Sequence, residues 1–506
     1  MKQNVKRRKR RRPLTSGRVL RLSRIAVSLL LFTAMVMMLV LLEGKVASAL
    51  GWVTRIQLFP LALAGAATGI ALWIGVTLLF GRIYCSSICP MGVLQDIFIR
   101  LGRLTRKRRF RRSFRYETAR NKTRYAMLVV VALSAILGLS LLPSLFDPYS
   151  AFGRIGSELI LPAVSWLRGN PVFVASLFAA AIAAATLLAV AVISFRKGRL
   201  ICNTVCPVGS TLGIFSRWSL FHFDIDTDLC VNCGLCARVC KASCINLLDH
   251  VVDGSRCVNC FDCMDICDAN ALRYTTRRKK LSIPMMQPVK NKTATTTVES
   301  SAPMKIDRRK FLATGLIVAA APAVAAAEKG VKRIKALDRN SKPLTPSRHV
   351  APPGRRSMAD FLEKCTGCGL CVARCPGKVL RPSSNEFGWM NALHPVMDFD
   401  RSYCRYNCTR CTEVCPTGAL TPLTAEEKHI FIIGHAHVEP ANCIGCGLCV
   451  ERCPRKAIGL APAPAGSGSR TRLIATVHTD NCIGCGACEY ICPASPDKAI
   501  VVNGIS

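Results

Sequence analysis

Four cysteine quartets between Cys365 and Cys492 constrain this chain more than any other feature. Their opening residues are Cys365, Cys404, Cys443 and Cys482, each 39 residues after the one before. Three have the spacing C-x2-C-x2-C-x3-C-P: Cys365, Cys368, Cys371 and Cys375; Cys443, Cys446, Cys449 and Cys453; Cys482, Cys485, Cys488 and Cys492. The other opens wider, as Cys404, Cys408, Cys411 and Cys415 before Pro416. Three closely spaced thiolates can wrap one side of a cuboidal [4Fe–4S] cluster, and the cysteine before proline usually ligates the neighbouring cluster of a pair. Zinc knuckles use two separated C-x2-C pairs, often with histidine, so this pattern points to iron–sulfur chemistry. The constant step marks an array of similar modules. Sequential pairing of the quartets (first with second, third with fourth) and nested pairing both fit the spacing.

Two more quartets precede the array: Cys230, Cys233, Cys236 and Cys240, then Cys257, Cys260, Cys263 and Cys267. The expected proline is missing after both, where Lys241 and Asp268 stand. Of 29 cysteines, the six quartets take 24 and two C-x3-C-P pairs, Cys85/Cys89 and Cys202/Cys206, take four. Cys244 is left over, either an alternative ligand to Cys240 or a spare buried thiol. Such usage indicates metal ligation rather than disulfides.

The net charge of +39 is concentrated outside the array. From Asp360 to Ser506 there are 14 Lys and Arg against 13 Asp and Glu, whereas residues 1–24 hold 11 basic residues and no acid. The basic blocks flank apolar runs, and the mean hydropathy of +0.29 is high for a soluble protein. This distribution reads as cytoplasmic loops beside membrane spans, not as a nucleic-acid site.

Four runs are long enough to span: Ile25–Leu42, Leu58–Phe80, Ala126–Leu142 and Val172–Phe195. Gly65 and Gly69 form a GxxxG pair suited to close helix approach, or a chance pair in a Gly/Ala-rich helix. Leu159–Leu167 is too short to cross. The loops after the first and third spans carry few positives (Lys45 and Arg55; Arg154 and Arg168), against 12 Lys and Arg from Arg100 to Arg124. Both C-x3-C-P pairs are therefore expected on the cytoplasmic side. Downstream, Arg308-Arg309-Lys310-Phe311-Leu312 opens an apolar run ending Ala325-Ala326-Ala327, similar to a twin-arginine export signal, with Asp307 where Ser or Thr is common. The alternative is a plain fifth span.

The expected fold class is a membrane α-helical bundle of four spans plus a signal or anchor helix, with α+β ferredoxin-like [4Fe–4S] domains. The expected divisions are a basic tail 1–24, a four-span domain 25–221, a two-cluster ferredoxin domain 222–275, a linker 276–304, a signal or anchor helix 305–330, a linker 331–358 and a four-cluster domain 359–506. Residues 222–275 are placed in the cytoplasm and 331–506 in the periplasm, across a bacterial inner membrane.

The expected cofactors are six [4Fe–4S] clusters, one-electron carriers arranged as a wire with a membrane step. The thiols of Cys85, Cys89, Cys202 and Cys206 admit several readings: a soft metal such as Cu(I), a further cluster, a cycling dithiol, or a structural helix-end turn. No haem is expected, because all eight histidines lie outside the spans. The spans carry no charged residue for a proton relay. If a quinol is oxidised, candidate proton acceptors are Asp147 and Glu158 on the outer side and Asp96 and His222 on the inner side; each is otherwise an ordinary polar residue.

Residues 1–275, with their spans, both C-x3-C-P pairs and two quartets, resemble NapH/MauN-type membrane ferredoxin proteins. Residues 305–506 resemble NapG/MauM-type exported ferredoxin proteins, through Arg308-Arg309-x-Phe311-Leu312, Pro352-Pro353-Gly354, the four quartets and Cys415-Pro416-Thr417-Gly418-Ala419-Leu420. The resemblance implies a quinol dehydrogenase whose partners are the quinone pool and a periplasmic redox protein or reductase. It also implies that the 24 quartet cysteines are cluster ligands. A competing expectation is an assembly factor for a copper or other respiratory metalloenzyme, since accessory membrane ferredoxins carry similar C-x3-C-P pairs. A cysteine-based redox sensor is a third reading, for which no output domain is visible.

Overall fold

The computed structural model describes residues 16–40, 50–105, 114–169, 176–276, 349–463 and 473–505. The segment 305–330, with its twin-arginine-like motif, lies outside the described residues, as do residues 1–15 and most of both linkers. Residues on either side of the linkers pack into one unit.

Helix α1 (Ser16–Val40) has no proline and no glycine beyond Gly17, so nothing interrupts its apolar run. At about 1.5 Å per residue it is long enough to cross a bilayer. It and a later helix, Leu177–Lys197, are the two described helices that meet the length and hydropathy of a membrane span. The other two expected spans come out shorter. Leu58–Phe80 breaks into Leu58–Leu63 and α2 (Ala67–Phe80). Gly65 lies between them at φ +71°, a left-handed conformation that ends a helix. The GxxxG expectation fails with it: no atom would crowd a side chain at Gly65, and Gly69 faces only Leu61 of the same hairpin. The third run forms α4 (Asn121–Ile136), after α3 (Pro90–Thr105), and stops before Gly138 at φ +75°.

Between α4 and the last long helix, α5 (Pro148–Ile155) continues through a π-helical turn, Gly156–Ile160, into Leu161–Leu167. Asp147 caps α5 by accepting from Ser150 N at 2.7 Å, and Pro148 supplies the fixed φ favoured at a first helical position. Helix α6 (Leu177–Lys197) then leads to the second C-x3-C-P pair.

The ferredoxin parts are built from short helices and two-stranded antiparallel sheets. Strand β1 (His222–Ile225) pairs with β2 (Leu272–Thr275), enclosing residues 222–275. In the array, Leu380–Pro382 pairs with Pro395–Met397, Ile458–Pro462 with Leu473–Val477, and Gly434–Val438 with Ile500–Gly504. Residues 349–358, expected as the end of a linker, belong to this domain instead. Val350 bridges to Met397, Ala351 is buried, and Arg355 donates to the carbonyls of Ile433 and Ile505, both at 3.0 Å.

Helix α1 joins the parts. Near its start Gly17 abuts Met264, and Arg21 pairs with Asp262 at 2.9 Å and with Asp265. At its far end Leu31, Met35, Met38 and Leu39 enter one apolar cluster with Phe152, Ile155, Leu370 and Val414. Between these ends, Arg24 reaches Asp96 of α3 at 3.2 Å. Asp96 also receives Arg199 at 2.9 Å and Lys241 at 3.2 Å, and Lys241 continues to Asp262 at 2.9 Å. Lys241 occupies the place where a ferredoxin quartet usually has proline; its ammonium, which proline lacks, ties the inner ferredoxin domain to the bundle. Burial alone would raise the Asp96 carboxyl, but Arg199, Lys241 and Arg24 outweigh it and hold it far below the ordinary range. Asp96 is therefore a permanent anion in an ion network, and the expectation of it as a proton acceptor is corrected.

Removing one partner of a buried network leaves uncompensated charge. Asp96→Asn is expected to destabilise the fold by about 3–5 kcal/mol, read as a lowered thermal midpoint. An unchanged midpoint would show that the network is not structural.

Candidate iron–sulfur sites and the junction between them

The quartets exchange their fourth cysteines. Cys443, Cys446 and Cys449 line a cavity with Cys492, and Cys482, Cys485 and Cys488 line the reciprocal one with Cys453. Cys404, Cys408 and Cys411 share a cavity with Cys375. Cys365, Cys368 and Cys371 have Cys415 as their neighbouring thiol. The exchange is sequential, which decides between the two pairings. The extra residue before Cys408 is absorbed without removing any of the three thiols from their cavity. The inner domain follows the same rule: Cys236 neighbours Cys267, Cys230 and Cys233, while Cys263 neighbours Cys260, Cys257 and Cys240.

The crossing depends on a sharp turn between the second and third cysteines. Gly369, Gly447 and Gly486 each take a left-handed φ there and cap a five-residue helix carrying the third cysteine. Phe261 takes the corresponding place in the second inner quartet, at φ +59°. Cys244 is buried with its Sγ 3.5 Å from Cys240 Sγ, and Cys257 is its other sulfur neighbour. It stands between the fourth cysteine of one quartet and the first of the next.

The two C-x3-C-P pairs converge. Cys85, Cys89, Cys202 and Cys206 are all buried and are mutual electrostatic neighbours. The surrounding sequence repeats as Gly-Arg-x2-Cys-x3-Cys-Pro-x-Gly at 81–92 and 198–209. Its arginines cross over: Arg82 donates to Cys202 O at 3.1 Å and Asn203 Oδ1 at 2.8 Å, while Arg199 donates to Cys85 O at 2.7 Å and Gly92 O at 3.1 Å. A Cβ at Gly92 or Gly209 would collide with the carbonyl of Cys85 or Cys202. Cys202 Sγ lies 3.3 Å from Gln95 Oε1, and Gly209 N donates to Cys206 Sγ at 3.3 Å. Burial pushes the Cys89 and Cys206 thiols well up. Four thiolates here need compensating cations; two guanidiniums supply part, and iron would supply the rest. An all-thiol donor set of four is the chemistry that soft metal ions and iron–sulfur clusters take. The repeat, with Arg82 and Arg199 in it, is the sequence signal for this site.

The sites form a connected series. Cys260 packs against the apolar cluster that holds Cys85, Cys89 and Cys206, and this cluster runs through Tyr84, Tyr149 and Phe152 to Cys368, Leu370 and Val414. A Cβ on Gly153 of α5 would run into the carbonyl of Cys368. Farther out, Cys404 N donates to Cys485 O at 2.9 Å, joining the two pairs of the array. Buried Lys428 sits at that joint, donating to Arg405 O at 2.7 Å and facing Cys404, Cys411 and Cys485. The series ends at Cys446, which is exposed. Of the proposed proton acceptors, Asp147 and Glu158 are buried near Gly153, and burial lifts them to about 6 and about 7. His222 instead pairs with the carbonyl of Leu220 at 3.2 Å. Arg154, counted in the sequence as a loop positive, is buried beside them.

These features define a ferredoxin-type electron-transfer protein with several [4Fe–4S] modules. Models of 4Fe–4S dicluster domains match residues 352–419 and 442–495, and a further dicluster model matches 403–458. A 4Fe–4S binding-domain model matches 62–111 and 178–226, one C-x3-C-P repeat each, and another matches 223–246. The chain is 32% identical over 179 residues to the methylamine utilization ferredoxin-type protein MauM of Paracoccus denitrificans, covering 34% of this chain and 79% of that protein. It is 27% identical over 184 residues to MauN of the same organism, covering 36% and 56%. It is 29% identical over 148 residues to the ferredoxin-type protein NapG of Escherichia coli, covering 26% and 60%. No solved structure matches. The chain belongs to the NapG/MauM-type ferredoxin proteins.

Exchange of fourth cysteines has a spectroscopic consequence. Cys492→Ala and Cys446→Ala are expected to remove the same cluster EPR signal, and Cys453→Ala and Cys485→Ala a different one. Local ligation would instead group Cys492→Ala with Cys485→Ala.

Proposed function

We propose that this protein passes electrons from a quinol in a bacterial inner membrane to a periplasmic redox protein. The supporting observation is the unbroken apolar cluster that links the inner ferredoxin domain, the four bundle thiols and the first quartet of the array. In this reading the 24 quartet cysteines hold six [4Fe–4S] clusters, and Cys85, Cys89, Cys202 and Cys206 hold a seventh centre between them. Such clusters supply one-electron transfer, with potentials set by charge, hydrogen bonds and solvent access.

The four apolar stretches at 16–40, 58–80, 121–136 and 177–197 then form the membrane bundle, the broken second and short third members being completed by their neighbours. Residues 222–275 lie in the cytoplasm and 331–506 in the periplasm. The two ends of α1 support this placement, since it starts against the inner ferredoxin helix Asp262–Ile266 and ends against the helix carrying Cys371.

The thiol chemistry of the bundle also gives the copper-assembly reading a definite test. Titration of the purified protein with Cu(I) is expected to leave the bundle cysteines without stoichiometric copper, while a quinol analogue reduces the clusters and develops their EPR signals. Stoichiometric copper at Cys85, Cys89, Cys202 and Cys206, with no reduction by quinol, contradicts the proposal. A reporter fused after Ser506 is expected to be active only in the periplasm.

A further inference from the structure

The junction between α5 and the first quartet holds more unsatisfied polarity than its apolar surroundings should tolerate. Asp147, Arg154 and Glu158 are 1%, 2% and 5% exposed. Arg154 uses one nitrogen on Ser144 Oγ at 3.0 Å, but its Nε and other terminal nitrogen have no partner. Asp147 accepts from Ser150 through one oxygen, and its Oδ1 is unpartnered. Glu158 Oε1 lies 3.4 Å from Ser157 Oγ and the Ser176 backbone N–H also faces the carboxylate, while its Oε2 is unpartnered. A buried polar atom without a partner costs roughly 1–3 kcal/mol, more when charged. Four such atoms on three successive turns therefore point to a ligand that satisfies them. Glu158 also sits in the π-helical turn Gly156–Ile160, a distortion frequent at functional sites.

The position of these groups selects the ligand. Gly153 lies against the Cys368 backbone, and Ser157 meets Gly369 so closely that a side chain there would collide with it. A molecule bound to Arg154 and Glu158 therefore adjoins the first quartet of the array. On the other side, Leu161–Leu167 presents Trp166 and Leu167 with 67% and 76% of their surface exposed, an apolar approach open to a lipid-soluble molecule. Inner-side Asp96, by contrast, has all its charge compensated by three cations.

We propose that Asp147, Arg154 and Glu158 form the quinol-binding and deprotonation site; this rests on the quinol reading above and gives it a place and residues. Arg154 donates to a quinol oxygen, and Glu158 takes the hydroxyl proton. Oxidation breaks two O–H bonds and converts both C–O bonds to carbonyls, releasing two electrons and two protons. Cys365, Cys368, Cys371 and Cys415 would hold the oxidant, an iron–sulfur centre that would supply one-electron acceptance twice in succession. Glu158 passes each proton to the array side, where Arg401 is the facing charge, before the next arrives. Its lifted carboxyl, raised by burial to about 7, suits a group that gains and loses protons near neutrality.

The test uses the full-length purified protein. Glu158→Gln is expected to slow cluster reduction by a quinol analogue about 100-fold or more with analogue binding nearly unchanged. Glu158→Asp should recover part of the rate. Arg154→Gln is expected to weaken equilibrium binding of the analogue about tenfold. Dithionite-reduced EPR spectra of all three variants should match wild type, which separates loss of the site from loss of the fold. Wild-type rates in Glu158→Gln, or unchanged binding in Arg154→Gln, overturn the assignment while leaving the quinol reading standing. A wild-type protein that dithionite reduces but no quinol reduces overturns both.

Discussion

The buried Asp96 carboxylate is the interaction on which the rest of the structure depends. It collects Arg24 from α1, Arg199 from the second C-x3-C-P repeat and Lys241 from the inner ferredoxin domain, each within 3.2 Å. None of these charges is tolerable in the interior alone, because desolvating an ion is repaid only by close, well-satisfied partners. Three stretches of chain are thus obliged to meet at one point. Arg199 also donates to Cys85 O and Gly92 O, so the same network fixes the backbone that carries the bundle thiols.

Electron transfer needs centres held at short, constant separations, and the packing is suited to that. The approaches along the series are made by backbone rather than by long side chains. Gly153 rests on Cys368, the Gly434 backbone on Gly484, and Cys404 N on Cys485 O. A backbone contact cannot swing away as a lysine can, and several of these positions leave no room for a Cβ. Buried Lys428 places a positive charge where the two pairs of quartets in the array meet, which favours electrons residing there.

Much of the ferredoxin chemistry was legible in the sequence because ligand spacing is local. Three thiols within seven residues and a glycine between them dictate one turn, and the 39-residue step repeats it. Pairing was not legible, since it depends on where each fourth cysteine is carried by strands far apart in sequence. The spans were only partly legible. Hydropathy reads 58–80 as one run, yet Gly65 adopts a left-handed φ and splits it. Charge counting took Arg154 for a solvated loop residue, because burial beside an orphaned carboxylate leaves no mark in composition. The bundle site was visible as two cysteine pairs, but the arginines that join them become meaningful only when 81–92 is laid against 198–209. Lys241 was noticed as a missing proline, and only the fold supplies its reason.

In the proposed relay the bundle thiols connect the inner ferredoxin domain to the array. Electrons injected into the inner domain by a photoreductant, followed by rapid freezing and EPR, test it directly. Signals from the array clusters are expected to appear after those of the inner pair, and Cys206→Ala is expected to abolish the transfer while both sets remain reducible by dithionite. Transfer that persists in Cys206→Ala, or that never occurs in the intact protein, would contradict it.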